Sequence, residues 1–331
     1  MREFAYRRAA RVSDALTAVA EDAGARYLGG GTNLVDLMKR GVEEPTRLVD
    51  VRRLPLDGVQ VAPDGGLVVG ATTTNSDVAA HPEVRRRFPA LALAVLSGAS
   101  GQLRNVATVG GNLLQRTRCG YFADLSRPCN KRVPGSGCAA IGGVHPNHAV
   151  LGHSEHCVAT HPSDMAVALA AFDAVVRYQT LDGAGEIPLS RFYPPVGDRP
   201  DRETALPPGA LITAVVLPGS AVSPRSRYRK VRERASYAFA IVSVAAALDV
   251  RDGVVHDVRI ALGGVASRPW RAGSAEAVLR GARPTADGFR TCADEALSDA
   301  KPLPDNGYKV PLARNLIRAV LAELAATEEN R

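Results

Sequence analysis

Residues 28–39 read LGGGTNLVDLMK and residues 104–115 read RNVATVGGNLLQ. In the first stretch a short strand, Ala25 to Leu28, runs into Gly29, Gly30 and Gly31 and then through Thr32 and Asn33 into a helical pattern that starts at Leu34. In the second, Thr108, Gly110, Gly111 and Asn112 make another glycine-centred turn. With no Cβ in the way, backbone N–H groups in such turns can converge on a pyrophosphate, and a following helix start adds favourable dipole charge. The first turn is neither the GxGxxG of a dinucleotide-binding unit nor a P-loop, because no Lys-Ser or Lys-Thr follows its glycines. Either turn alone reads as an ordinary structural turn. Together they can hold one extended cofactor from two sides, with Thr32, Asn33, Thr108 and Asn112 offering short polar side chains to its oxygens.

Outward from these turns the pattern is α+β rather than a regular βαβ repeat. A helix is predicted after Ser13, capped by that serine and ending near Gly24; strands are predicted at 47–51 and 66–72; the alanine- and leucine-rich PALALAVLSGAS reads as a helix. HPSDMAVALAAFDAVVRYQT reads as a helix with Asp164 in its first turn, followed by a strand. The stretches Pro194 to Pro208 and PGSAVSP at 218–224 look like linkers. Beyond them AIVSVAAALDV and VVHDVRIALGGVA flank Arg251, Asp252 and Gly253, a hairpin signal. The domains are therefore set at 1–221 and 222–331.

A chain of 331 residues with 46% hydrophobic residues can bury a substantial core. Its net charge of +7 comes from arginines scattered throughout, the longest run being Arg85, Arg86 and Arg87, which argues against nucleic-acid binding. Membrane insertion is not expected, since no apolar run approaches the roughly 20 residues of a membrane helix. The opening MREFAYRRAARVSDAL lacks the apolar core of a secretory signal, so the expected compartment is the cytoplasm. The alternative is the periplasm, reached by co-export with a signal-bearing partner.

Four of the five cysteines, Cys119, Cys129, Cys138 and Cys157, fall in one region with five of the seven histidines. Without a mark of secretion a disulfide framework is disfavoured, and metal binding leads. The segment Arg116 to Thr160 is rich in Cys, His, Gly and Pro, so a bound metal could supply the order that an apolar core would otherwise give. The cysteine spacing does not name the metal. A zinc site with mixed ligation through His153 or His156, and four unrelated thiols, stand as competing readings. Cys292 reads as an isolated structural thiol.

Four motifs in order, LGGGTNLVDLMK, RNVATVGGNLLQ, HPSDMAVAL and YRKVRERASYAFAIVSVAAAL, resemble the FAD-binding subunits of the xanthine dehydrogenase and carbon monoxide dehydrogenase family of molybdenum hydroxylases. The likeness covers nearly the whole chain. It implies a two-subdomain FAD-binding domain of the vanillyl-alcohol-oxidase/PCMH type and a smaller α+β C-terminal domain with an antiparallel sheet. It further implies that Leu28 and Gly29 to Leu34 hold the FAD pyrophosphate and that Thr108, Gly110, Gly111 and Asn112 form a second cradle. Asp164 then matches an acidic residue at the adenosine end, and Lys230 a lysine near the flavin ring.

The pieces RTRCGYF, RPCNKR, GSGCAAIGG and HSEHCVATHPSD resemble the subgroup of flavin subunits from periplasmic-type aldehyde oxidoreductases. That resemblance implies that Cys119, Cys129, Cys138 and Cys157 ligate a [4Fe-4S] cluster in a loop at about 116–160. The implied role is electron transfer within a heterotrimer. A molybdenum-cofactor large subunit oxidises the substrate, expected to be an aldehyde, a [2Fe-2S] small subunit relays electrons, and the flavin passes them to an external acceptor. No residue of this chain is then needed as acid, base or nucleophile. The alternative is a self-sufficient FAD-dependent oxidase of a small molecule, and a third reading is a metal-stabilised scaffold. The flavin is expected to be noncovalent, because neither glycine turn contains a His or Cys.

Overall fold

A computed structural model describes residues 1–329, whose strands fall into three sheets. The first consists of β1 (Ala5–Arg8), β2 (Ala25–Leu28) and β3 (Arg47–Asp50) in the order β1-β3-β2, with both pairs parallel and Ala5 and Ala25 each opposite Arg47. The helix Val12–Ala20 crosses between β1 and β2 and buries Ala15, Leu16 and Ala18 against Val49, Val51 and Leu54. It begins at Val12, before Ser13, and ends at Ala20. Its first turn is closed by Asp14, whose carboxylate accepts the Arg11 N–H at 3.1 Å, so the expected Ser13 cap is replaced by an acidic one. β2 delivers the chain into the first glycine turn, and the helix Leu34–Lys39 leaves it.

The second sheet comprises β4 (Val59–Val61), β5 (Leu67–Gly70), β6 (Val175–Thr180), β7 (Gly183–Pro188) and β8 (Leu211–Leu217), in the order β4-β5-β8-β6-β7 and antiparallel throughout. The long excursion between β5 and β6 carries the second glycine turn, the cysteine loop and two strongly buried helices, Pro89–Ser97 and Asp164–Ala171. Both helices are apolar around most of their circumference; Asp164–Ala171 is buried along almost its whole length, while Pro89–Ser97 leaves Leu93 and Leu96 exposed on its outer face. Phe88 and Phe172, next to one end of each, meet edge to face at 5.3 Å.

The third sheet holds β9 (Ser226–Val231), β10 (Val242–Arg251), β11 (Val254–Gly263) and β12 (Trp270–Arg271), antiparallel in the order β12-β11-β10-β9. The β10–β11 hairpin turns at Asp252 and Gly253, both in the left-handed region with φ of 52° and 73°. β10 is covered on both faces. Ala245 and Ala247 pack into the core shared with the helices Pro89–Ser97 and Asp164–Ala171, whereas Val244, Ala246 and Leu248 face a second core under the helices Ala286–Glu295 and Lys309–Glu329. The main apolar core therefore runs on past the break at 218–224, joining Leu217 and Val222 to Tyr228 and Ala261. Among the described residues no helix is long and apolar enough to cross a membrane.

Candidate functional site

The two glycine turns, far apart in sequence, are packed directly on each other. A Cβ on Gly29 would lie 2.7 Å from the Thr108 hydroxyl, and one on Gly30 would lie 2.0 Å from the Val106 carbonyl oxygen. Glycine is thus required at both positions to let one turn seat against the chain leading into the other. Gly31 supplies the left-handed conformation, φ +72°, that turns the backbone into the following helix. Thr108 caps the short helix Val109–Leu113, its hydroxyl accepting the Gly111 N–H at 3.2 Å. Ser163 caps the helix Asp164–Ala171 in the same way, accepting from the Ala166 N–H at 3.0 Å while its own O–H donates to the Asn112 side-chain oxygen.

Beside the turns lies a cavity of about 790 Å³. Thr32, Asn33, Gly111, Asn112, Asp164 and Lys230 line it, which brings six of the residues singled out in the sequence to one place. Leu28, Gly29, Gly30, Gly31, Leu34, Thr108 and Gly110 stand behind this wall rather than on it. Three wall residues have buried polar atoms without a hydrogen-bond partner among the described residues: Nδ2 of Asn33, Oδ1 of Asn75 and Nδ1 of His148. The opposite side of the Asn33 amide is fixed, since its Oδ1 accepts the Arg116 N–H at 2.9 Å. Spare buried donors and acceptors of this kind are costly unless a ligand completes them.

Asp164 and Lys230, which the resemblance puts at the adenosine end and near the flavin ring, form a buried ion pair. The Lys230 ammonium donates to one Asp164 oxygen at 2.8 Å and to the Ser97 carbonyl at 3.1 Å, and the Tyr228 hydroxyl donates to the other Asp164 oxygen. Their side chains are 8% and 3% exposed, so the pair is a single unit of the cavity wall. Burial pushes the Asp164 carboxyl up, against the opposing pull of Lys230 and Tyr228. β9 brings the pair together, since Tyr228 and Lys230, two residues apart along the strand, both reach Asp164 at the start of the helix Asp164–Ala171.

The cysteine loop is ordered by more than its composition promised. Phe122, Ala140, Val150, Leu151, Val158 and Ala159 are buried. Arg132 donates to the carbonyls of Tyr121, Phe122 and Arg127, and Asn130 joins Gly137 to His156 through its side-chain oxygen and nitrogen. The C-terminal part grips the loop from the other side, with Lys309 donating to the His148 carbonyl at 3.0 Å and Asn306 to the carbonyls of His148 and Ala149. Cys129 and Cys138 face each other across an isolated antiparallel bridge, and Cys119 packs with Cys129 on one side and Cys157 on the other. The Cys119 sulfur lies 3.2 Å from His148 Nε2, and Cys119 also lines the cavity. Burial, with Cys129 and Cys157 adding to it, pushes the Cys119 thiol up to about 11. Among the described residues no three His, Cys, Asp or Glu side chains stand at metal-binding geometry, so the thiols are gathered without forming a ligand set.

Sequence reading missed several residues of the wall. Asn75 has no motif around it and reaches the cavity because its N–H bonds the Ala107 carbonyl at 2.8 Å. Arg118 stands beside a cysteine that drew attention away from it. Tyr237 and Phe239, largely exposed, line the mouth; Tyr237 holds the left-handed φ of 54° and its carbonyl accepts from Arg234 Nε at 3.0 Å.

This arrangement meets its counterparts in known proteins. Residues 2–220 match the family described as the FAD binding domain in molybdopterin dehydrogenase, and residues 226–324 match the CO dehydrogenase flavoprotein C-terminal domain. The chain is 50% identical over 327 residues to the aldehyde oxidoreductase FAD-binding subunit PaoB of Escherichia coli K12, covering 98% of this chain and 99% of that one. It is 25% identical to the glyceraldehyde dehydrogenase medium chain of Sulfolobus acidocaldarius, over 92% and 90% of the two chains. In fold it is similar to a chain of the carbon monoxide dehydrogenase of Hydrogenophaga pseudoflava, with a TM-score of 0.77, 24% identity and 98% of each chain covered. These matches favour an electron-transferring subunit over a self-sufficient oxidase. By the match along both of its parts, the chain belongs to the FAD-binding subunits of the molybdenum hydroxylase family, the oxidoreductases that include the xanthine and carbon monoxide dehydrogenases.

Proposed function

We propose that this chain holds noncovalent FAD in the cavity between the glycine turns and β9, and works in a heterotrimer with a [2Fe-2S] small subunit and a molybdenum-cofactor large subunit that oxidises an aldehyde. The observation that carries the reading is the set of unsatisfied atoms on the wall, Asn33 Nδ2 and Asn75 Oδ1 with His148 Nδ1, beside a turn-on-turn packing that only glycine permits. Bound there, the flavin would supply electron exchange between iron-sulfur centres of the assembly and an external acceptor. Thr32, Asn33, Gly111 and Asn112 give it a polar wall, with Leu28, Gly29, Gly30, Gly31, Leu34, Thr108 and Gly110 holding that wall in shape. Asp164 orients the Lys230 ammonium, so the wall there offers a fixed, hydrogen-bonded and locally neutral pair rather than a free cation. The family matches end and begin near the proposed boundary of domains 1–221 and 222–331.

Purifying the chain alone and with its partners tests this. The isolated chain should be yellow, release its flavin into acid, and reduce no dye with aldehydes, while the complex does. Dye reduction by the isolated chain would restore the self-sufficient oxidase. The complex should fractionate with the cytoplasm, or with the periplasm where its large subunit bears an export signal.

The same proposal gives Cys119, Cys129, Cys138 and Cys157 to one [4Fe-4S] cluster. What supports it is the gathering of four thiols in one loop, Cys119 packed beside Cys129 and Cys157 and Cys138 bridged to Cys129, with identity to an aldehyde oxidoreductase subunit beside it. Anaerobic protein should contain about four irons per chain. Cys129→Ser and Cys138→Ser should lose iron and Cys292→Ala should not; stoichiometric zinc, or full iron in the serine variants, would overturn the assignment.

A further inference from the structure

Two arginines open the cysteine loop, and the protein uses them differently. Arg116 is fully engaged, paired with Glu43 and Glu203, donating to the Lys131 carbonyl at 3.3 Å, and lying over the Phe122 ring at 4.6 Å. Arg118 makes no hydrogen bond through its guanidinium to any described residue. The carboxylate paired with it, Asp36 Oδ2, is 3.6 Å away, beyond hydrogen-bond reach, and the Phe239 ring lies 4.9 Å from its guanidinium carbon. Its side chain is 31% exposed, and it lines the cofactor cavity.

The surroundings identify what this guanidinium faces. Asp36 is on the helix that leaves the first glycine turn, and Asn33 within that turn is bonded to the backbone of Arg116, so the loop is moored beside the turn. Thr32 and Asn33 line the same cavity as Arg118. Phe239 supports one face of the guanidinium plane and leaves its edge free, the arrangement in which arginine grips a planar or tetrahedral anion with two N–H groups. The charge is partly stripped of water, with Asp36 offering only incomplete compensation.

We infer that Arg118 binds the pyrophosphate of FAD, closing over it from the cysteine loop while the first glycine turn holds it from the other side. This rests on the FAD reading of the cavity and adds a residue outside the glycine motifs. It gives the cysteine loop a direct part in flavin retention, one residue from Cys119.

The test uses the full chain stripped of flavin by dialysis against bromide, with FAD binding followed by quenching of flavin fluorescence. Arg118→Gln should weaken FAD about ten- to a hundred-fold, the range of a lost charge-assisted hydrogen bond. It should flatten the dependence of FAD affinity on salt concentration, and Arg118→Lys should recover part of both. ADP, which has the pyrophosphate and no flavin ring, should bind the Gln variant more weakly than the wild type, while riboflavin, which has the flavin ring and no phosphate, binds both equally. An FAD affinity unchanged in Arg118→Gln, or a loss shared by riboflavin and not by ADP, overturns the inference and leaves the FAD reading standing. A wild-type chain that binds no FAD overturns both.

Discussion

Behind the cavity wall the two glycine turns are held by close backbone packing, whereas the loop between Arg116 and Thr160 is held by side chains reaching into carbonyls. The first region has little room: Gly30 approaches Val106 so closely that no Cβ fits. The second is a set of tethers, Arg132, Asn130, Asn306 and Lys309, each satisfying carbonyls that no helix or sheet ladder would otherwise use. A backbone-built site should fail abruptly at a few positions. A tethered loop should weaken step by step, and it can hold its shape before any metal arrives.

The largest effect that sharpens this contrast is expected from Gly30→Val. Its new Cβ would overlap the Val106 carbonyl at 2.0 Å, so the two turns must separate. A destabilisation of about 3 kcal/mol or more, with loss of bound flavin, should appear in denaturant melts and absorbance spectra. Near-native stability would break the backbone-on-backbone account.

On the loop side, His161 lies where the chain leaves the loop for the helix Asp164–Ala171. It is packed edge to face on Tyr193 at 4.5 Å, and burial depresses its pKa to about 3. A histidine whose folded pKa lies below its unfolded value keeps its full contribution above about pH 6.5, and that contribution is lost as pH falls toward 3, because the unfolded chain takes the proton first. Melts of the flavin-free chain should lose up to about 4 kcal/mol across that window, and His161→Phe should flatten the fall. An equally steep fall in the variant would place the acid sensitivity elsewhere.

Smaller again should be Lys309→Met, which leaves the His148 and Gly264 carbonyls without their buried donor. It should cost about 2 kcal/mol and raise proteolysis at residues 140–150 before global unfolding. Uniform protection of the loop in the variant would show that the tether is dispensable. The smallest effect is expected at Gly111→Ala, where the added Cβ meets only the Thr108 hydroxyl at 3.1 Å. The flavin-free chain should keep its stability within about 1 kcal/mol, and a loss as large as that of Gly30→Val would erase the distinction between the turns.

Much of the site was legible because glycine and cysteine are conspicuous letters with few uses. The turns at 29–31 and 110–111, the hairpin at Asp252 and Gly253, and Asp164 in its first helical turn all follow from local rules. What escaped was long-range. β1 is exposed along its length and joins the first sheet only by parallel pairing with a strand some forty residues on, for which Ala5 to Arg8 carry no periodic signal. The Asp164–Lys230 pair depends on the placement of β9, and Arg118 is indistinguishable in sequence from its fully engaged neighbour Arg116. The loop looked too poor in apolar residues to order itself, yet its few, Val150 and Leu151 among them, are placed where the C-terminal core can take them. Composition counts such residues but does not locate them.

The pairing of Asp164 with Lys230 also sets an order of events during synthesis. While the ribosome is still short of residue 230, the helix Asp164–Ala171 can form, but its buried carboxylate has neither the ammonium nor the Tyr228 hydroxyl that complete it in the finished chain. A nascent chain ending near residue 220 would also lack Ala245, Ala247 and Ala261 from the core around that helix. Residues 2–220, though matched as a domain in their own right, therefore share both their main core and the wall of the cavity with residues of the third sheet and the segment after it.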